Sequence, residues 1–465
     1  MGTTQDGAVV APAGDQFLKV EGHGIEPIPL AERHGRSREL AFLWGGAFVN
    51  YASLLTASLA TSFFGLGVWD GLAAVGLGSL AGAVLLGLLS RTGPRSGLPQ
   101  VAFTRGIFGE HGMRIGAFLT LFLAVGWFAV DTVIAAQAGA QMLDLAGIGA
   151  GKGITLLLAL LIAALSVVVA IYGHATIKAF EAGGAIAFGV LSTLLFALLA
   201  TRFHWTTGPS VRGADYPGAF VLGFMSCFAL VASWFPFASD YSRYLPPDTS
   251  PRGIIWWPVV GVMVPMTLLG LFGLLLPTID PKVAAGAGGV LAVITRHAPI
   301  WVAIPFFAFV VLGEVWANYL DVYTAGLVAL TMGIRLRRWQ TALGCGVLGG
   351  LLAIYAVAVR DFHTAYEQFL LITYLWAPAW AGIVLLAFRR ADHPGPGRAL
   401  LAWAVATAIS LCFVNYPNVI PGAHAFNQPL IDALHGADLS GLVSIGVAMA
   451  VYATLLRIGR REARP

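Results

Sequence analysis

Twelve apolar stretches, most of them close to membrane-spanning length, constrain this chain more than any other feature. They fall at residues 41–66, 70–90, 113–142, 154–173, 177–200, 217–238, 254–276, 299–333, 341–358, 365–387, 399–415 and 440–457. A helix needs about 20 apolar residues to cross the hydrocarbon core of a bilayer. Only helices and closed barrels satisfy their backbone hydrogen bonds in lipid, and the alternating pattern of barrel strands is not seen. The sequence therefore predicts an all-α polytopic membrane protein of about twelve transmembrane helices, numbered here spans 1–12. Composition agrees. The 465 residues are 58% hydrophobic and 11% charged, against about 25% charged in soluble proteins. A soluble fold of that composition has too little polar surface to cover its interior. The 57 glycines suit close helix packing in lipid. Cys227, Cys345 and Cys412 each lie inside an apolar run with no close-spaced partner. They read as small buried hydrophobes, not as a disulfide framework or a metal knuckle.

Lysine and arginine set the orientation. With the N-terminus inside and the spans alternating, 21 of the 27 fall on inside segments and 6 on outside ones. That bias predicts an even number of spans with both termini cytoplasmic, in the plasma (inner) membrane. Residues 1–38 lack the apolar core of a signal peptide and read as a flexible cytoplasmic tail. Spans 1–5 occupy 39–200 and spans 6–10 occupy 216–388. Five is odd, so the second block enters the membrane from the opposite side, the arrangement of inverted-repeat transporters. Spans 11 and 12 fill 399–457, and 458–465 form a cytoplasmic C-terminus. In such repeats the first helix of each block is broken near the midplane. Span 1 carries Gly45-Gly46, and span 6 carries Pro236 with Gly223 upstream; both residue types weaken helices.

Ionisable groups in apolar spans need a reason, since each costs about 2.5–3.5 kcal/mol at the bilayer centre on insertion scales. Span 8 holds Glu314, Asn318 and Asp321 at spacings that put all three on one helical face. An asparagine offers a donor and an acceptor to the edge of a heterocycle, and a buried carboxyl suits proton carriage. The other reading is a polar stripe satisfied by neighbouring helices. Span 3 holds Trp127 and Asp131 one turn apart. Trp127 can stack on a flat ligand or simply pack; Asp131 is a ligand contact or a structural partner. Asn50 is an interior polar residue of span 1.

Several strings resemble the purine–cytosine permease branch of the nucleobase–cation symporter-1 family. The tail reads His23-Gly24-Ile25-Glu26-Pro27-Ile28-Pro29. Span 1 pairs Trp44 with Asn50. The loop after span 2 reads Gly93-Pro94-Arg95-Ser96-Gly97-Leu98-Pro99-Gln100, followed by Arg105 and Phe108-Gly109. Span 6 ends in Trp234-Phe235-Pro236-Phe237-Ala238-Ser239-Asp240-Tyr241-Ser242-Arg243-Tyr244-Leu245-Pro246. Span 8 carries Asn318, Asp321 and Tyr323. The resemblance implies a LeuT-type 5+5 inverted repeat plus two C-terminal helices, and import of a nucleobase or related ring with a cation. It implies a base stacked on Trp127, meeting the broken part of span 6 within Ala229–Ser233, and hydrogen-bonded by Asn318. Pro99, Gln100, Asp240 and Arg243 then belong to a structural motif, with Asp240 and Arg243 expected to form an ion pair or a helix-end cap.

One departure bears on the cation. Sodium-coupled relatives use hydroxyls in the turn before the span 8 asparagine, and sodium wants oxygen ligands. Here no serine or threonine occurs from Pro299 to Tyr323. The expectation is proton coupling through Glu314 or Asp321, with sodium as the alternative. The expected partners are a nucleobase-like small molecule, the cation and the lipid bilayer, with no nucleic acid and no cofactor. The rival readings are a channel, which needs a repeated pore or charge ring, and a membrane enzyme, which needs a clustered site or phosphate loop. An amino-acid carrier of the same fold is a third, and an allantoin, hydantoin or hydroxymethylpyrimidine carrier a fourth.

Overall fold

The computed structural model describes residues 23–172, 186, 189–284, 289–359, 362–389, 395–415 and 423–462. Among them eight helices are long and apolar enough to cross a membrane. A ninth span is the bent pair Glu39–Phe48 and Tyr51–Ser62, and the shorter apolar helices Gly189–Arg202, Leu375–Phe388 and Pro396–Leu411 stand where three further spans are predicted. Strands are absent among the described residues. Residues 173–185 and 187–188, which cover the predicted start of span 5, lie outside the described residues.

Spans 1, 2, 6 and 7 pack on one another, and spans 3, 4, 8 and 9 form a second group. Spans 10 and 11 pack on span 12. Span 2 is Val68–Ser90, span 3 Arg105–Leu145, span 4 Lys152–Tyr172, span 7 Pro251–Ile279, span 8 Ile300–Thr331 and span 9 Arg338–Val359. Glycines set the closest approaches. A Cβ on Gly78 of span 2 would sit 2.1 Å from the Phe224 carbonyl of span 6, and one on Gly273 of span 7 would sit 2.3 Å from the Leu54 carbonyl of span 1. Arg338 opens span 9 by donating to the Ala170 and Ile171 carbonyls at the end of span 4 (3.3 and 2.6 Å). A cation there meets the carbonyls that a helix C-terminus leaves unpaired.

Both repeat-opening helices are broken. Span 1 bends by 61° between Phe48 and Tyr51. The predicted Gly45-Gly46 lies one turn before that bend, and both carbonyls accept from the Val49 N–H. Span 6 runs Asp215–Ala232, tightens to a 3-10 turn at Phe235–Phe237 and resumes as Ala238–Ser242. Pro236 sits in the turn as predicted. Gly223 does not break the helix: it faces Leu66, Ala74 and Ala60, where a side chain would be crowded.

The stretch expected as a flexible tail divides. Residues 1–22 lie outside the described part, but 23–38 lie against the bundle. Ile28 N–H donates to the Gly97 carbonyl (3.0 Å) and His34 N–H to the Tyr244 carbonyl (2.7 Å). Arg33 donates to the Ile28 and Pro94 carbonyls (2.9 and 2.7 Å). The membrane face that carries this segment is called the tail face below. Gly97 adopts the left-handed conformation (φ 72°) that ends the short helix Thr92–Ser96, which glycine does at no steric cost.

Candidate functional site

The break of span 1 is built from its own residues first. Asn50 has extended backbone, and its side-chain oxygen accepts from the Ser53 N–H at 2.9 Å, capping the helix Tyr51–Ser62. Its amide nitrogen donates to the Ala47 carbonyl at 2.9 Å. Both ends of the Asn50 amide are thus engaged within span 1. Glu314 of span 8 supplies the next bond, its carboxylate accepting the Tyr51 N–H at 2.7 Å. A carboxylate at a helix N-terminus meets donors that the helix cannot pair by itself, and the helix dipole favours it there. Span 8 comes this close because residue 313 is glycine: a Cβ there would lie 2.9 Å from the Val49 carbonyl.

Asp131 of span 3 reaches the same place, with its carboxyl within hydrogen-bond reach of Glu314. Asp321 lies near enough to feel the charge of Glu314. All three carboxyls are buried, and neither oxygen of Asp321 has a hydrogen-bond partner. Asn318 sits between Glu314 and Asp321. Its nitrogen donates to Thr132 Oγ1 of span 3 at 3.1 Å and lies 3.5 Å from Ser166 Oγ of span 4; its oxygen is buried without a partner. The expected single face of span 8 is therefore present, and spans 1 and 3 meet it. Trp127 is buried one turn before Asp131.

Span 6 brings an aromatic group to the other side. Trp234 packs edge-on against Trp44 (5.7 Å between ring centroids) and lies 6.2 Å from Phe48, while Trp44 also meets Tyr241 at 5.8 Å. Sequence reading gave Trp234 only as a motif residue, although an aromatic two residues before the proline of a broken span was the available signal. The broken stretch lies later than expected. Ala229 is inside the helix, and the Ser233 hydroxyl bonds back to the Leu230 carbonyl at 2.7 Å. The helix gives way from Ser233 to Phe237, because Pro236 has no N–H to continue it.

The motif residues tie three segments together at the tail face. Asp240 accepts from the Gln100 N–H (2.8 Å) and from Thr324 Oγ1 of span 8 (2.6 Å). The cap expected of Asp240 is present, but on the short helix Gln100–Phe103 that follows Pro99 and not on span 6. Ser239 donates to the Leu98 carbonyl at 3.0 Å, and Ser242 to the Ser90 carbonyl at 2.7 Å. Arg243 is fully buried. It donates to the Gly24 carbonyl of the tail segment (2.8 Å) and to the Tyr323 hydroxyl (3.0 Å). Tyr241 stacks on Tyr323, with centroids 5.6 Å apart, and donates to the Leu320 carbonyl at 3.1 Å.

No group of three or more metal-ligating side chains that could hold a metal ion is found among the described residues. What the arrangement offers is two broken helices meeting an asparagine acceptor and three carboxyls, lined by indoles.

Comparison with known proteins places this geometry. Residues 27–392 match the family described as permease for cytosine/purines, uracil, thiamine, allantoin. A putative purine-cytosine permease of Bacillus subtilis, YxlA, is 26% identical over 95% of this chain and 96% of its own length. The purine-cytosine permease fcyB of Emericella nidulans is 25% identical over 79% and 73%. Among solved structures, Mhp1, a nucleobase-cation-symport-1 family transporter with bromovinylhydantoin bound, superimposes with a TM-score of 0.71 at 18% identity, over 96% of this chain and 97% of that one. A sodium-coupled sialic acid symporter superimposes at 0.61 and 11% identity over 91% and 90%, so the fold is shared more widely than the sequence.

Proposed function

Since this chain belongs to the family of permeases for cytosine/purines, uracil, thiamine and allantoin, we propose that it imports a flat nucleobase, cytosine or a purine, by symport with a proton. The purine-cytosine permeases that resemble it over most of their length support the substrate class. One observation carries the coupling. Asp131 and Glu314 are buried beside each other at the break of span 1, and two neighbouring buried carboxyls cannot both carry charge cheaply, so the pair favours holding one proton. The stretch where a sodium site would find serine or threonine hydroxyls, Pro299 to Tyr323, has neither residue. The lysine and arginine bias supports cytoplasmic termini, and import of a base suits the plasma (inner) membrane.

The base stacks on Trp127 beside the break of span 6, and the unpartnered Asn318 oxygen accepts a ring or exocyclic N–H. A proton shared by Asp131 and Glu314 leaves the Tyr51 N–H bond in place. Losing the proton sets two like charges against each other at buried positions, which biases the groups of spans to move. Coupling of this kind needs only that the proton bind one state more tightly than the other.

The test is uptake of radiolabelled cytosine and adenine in transporter-deficient cells, with and without sodium and with a protonophore. The expected result is sodium-independent uptake, stimulated by acid and abolished by protonophore. Asn318→Ala should abolish uptake at normal membrane abundance, and Trp127→Ala should raise the half-saturation concentration strongly. Glu314→Gln should remove the acid stimulation. Sodium dependence would overturn the coupling and keep the carrier; acid stimulation retained in Glu314→Gln moves the proton to Asp321 or elsewhere, Asp131 included. Failure of both bases in abundant protein points to allantoin, a hydantoin or a hydroxymethylpyrimidine.

A further inference from the structure

Away from the break, spans 1, 5 and 7 enclose an apolar slot of about 390 Å3. Its wall on span 7 runs from Trp257 to Leu271, which at 1.5 Å per residue is a length of about 21 Å. Span 1 contributes only its first half, from Ala41 to Val49, and span 5 contributes Ile186, Gly189, Ser192, Thr193 and Phe196. The slot opens to the side: Ile186, Phe42, Val264 and Leu268 are all half-exposed or more. Glycine makes the room. A Cβ on Gly189 would meet nothing within 4 Å, and one on Gly45 would meet only the Gly261 carbonyl at 3.8 Å. A slot that is apolar, long and open towards the hydrocarbon suits a chain of methylenes.

The end of the slot at the tail face carries positive charge. Spans 1 and 7 both start there, and a Cβ on Gly253 would lie 2.5 Å from Ser37 Oγ, so the two starts touch. Arg36 and Arg38 flank Ser37, and Arg252 precedes Gly253; all three are exposed. The acids near them in the chain are Glu39, whose carboxylate is turned to the Arg36 backbone N–H, and exposed Asp248, four residues before Arg252; the three arginines still outnumber them. The three exposed guanidiniums therefore stand at the tail-face end of the open apolar slot.

We infer that spans 1, 5 and 7 form a binding site for one anionic phospholipid, its acyl chain in the slot and its phosphate on Arg36, Arg38 and Arg252. Charge complementarity selects an anionic head over a zwitterionic one, and the length and lateral opening select a chain over a compact ligand. The lipid touches the half of span 1 that precedes the break, so it binds the present position of that half-helix and weights the equilibrium towards it.

The test is native mass spectrometry of the full-length protein, released from detergent containing equal amounts of phosphatidylglycerol and phosphatidylcholine with identical chains. Phosphatidylglycerol should be retained over phosphatidylcholine. The double variant R38Q/R252Q should lose about thirty-fold of that preference, the surface worth of two arginines near an anionic head. Gly189→Leu, which fills the slot, should lose bound lipid of both kinds while the arginines remain. Equal retention of the two lipids by the unmodified protein overturns the inference, as does an unchanged preference in R38Q/R252Q. Should Gly189→Leu fold poorly, the arginine variant alone decides, because its substitutions lie on exposed side chains.

Discussion

Replacing Asn50 with alanine separates two roles that the residue could have. Its oxygen holds the Ser53 N–H and its nitrogen holds the Ala47 carbonyl, both at 2.9 Å and both in the interior. Loss of a helix cap costs about 1 kcal/mol. Each buried backbone group left without a partner adds about 1–3 kcal/mol. Relaxation at the break recovers part of this, and the Glu314 bond to Tyr51 survives, so a total of about 2–4 kcal/mol is expected. Serine at position 50 keeps an acceptor for the helix terminus and should recover about half. The assay is the fraction of detergent-solubilised, fluorescently tagged protein that stays monodisperse after heating, with uptake measured on the same variants. Asn50→Ala should melt several degrees lower than the unmodified protein, Asn50→Ser should fall between, and the half-saturation of Asn50→Ser should be near that of the unmodified protein. The reasoning is refuted if Asn50→Ala melts like the unmodified protein yet loses transport, since Asn50 would then act on the substrate and not on the helix.

Gly78→Ala forces a Cβ onto the Phe224 carbonyl and should cost about 1–3 kcal/mol by overpacking, lowering the yield of monodisperse protein. Gly76→Ala, two residues away with nothing within 4 Å, should be neutral on the same measurement. Thr324→Val removes the 2.6 Å bond to Asp240, worth about 1.5–3 kcal/mol for a hydrogen bond to a charged group, and should lower the melting temperature; Thr324→Ser should restore it. Arg243→Gln should free the tail segment, read as faster cleavage by protease between residues 23 and 38 in otherwise intact protein. Burial pushes the Asp438 carboxyl, just before span 12, above its ordinary value, against bonds from Ser440 and Asn415. The folded state then holds that proton more tightly than the unfolded chain. Its contribution to stability is full below about pH 4, the unfolded value, and is lost as pH rises, so Asp438→Asn should flatten the fall in melting temperature above that pH.

The spans were legible because lipid demands length and apolarity, and those are properties of single runs. Their ends were less so. Span 3 was expected from residue 113; its long helix runs from Glu110 and is joined across Gly109 to a short helical stretch that starts at Arg105. Across that joint Glu110 pairs with Arg105 at 2.9 Å and with Arg114 at 3.0 Å. Gly109 (φ 70°) kinks the helix among them, where Pro396 packs against it. Helices Gly289–His297 and Ala423–Ala433 went unseen, being too short for a span-length window. At the site, the common face of Glu314, Asn318 and Asp321 followed from helical spacing alone. That Glu314 caps a helix in another span did not, since 263 residues separate it from Tyr51 and no local pattern records such a pairing. Trp234 headed the span 6 string, but only as a motif residue; nothing in the string sets an aromatic at the break apart from Phe235 and Phe237 beside it.

At the tail face, span 6 and span 8 are joined by a short row of bonds: Asp240 to Thr324, Tyr241 to the Leu320 carbonyl, and Arg243 to the Tyr323 hydroxyl. Their span 8 ends lie within five consecutive residues, about 6 Å of helix. Two rigid helices cannot part at one of these points and remain joined at the next. The row therefore fails or holds as a whole, more like a zip with a stiff first tooth than like a spring. A passage opening here would have few partly open forms, and its rate would be set by how rarely all three bonds let go together.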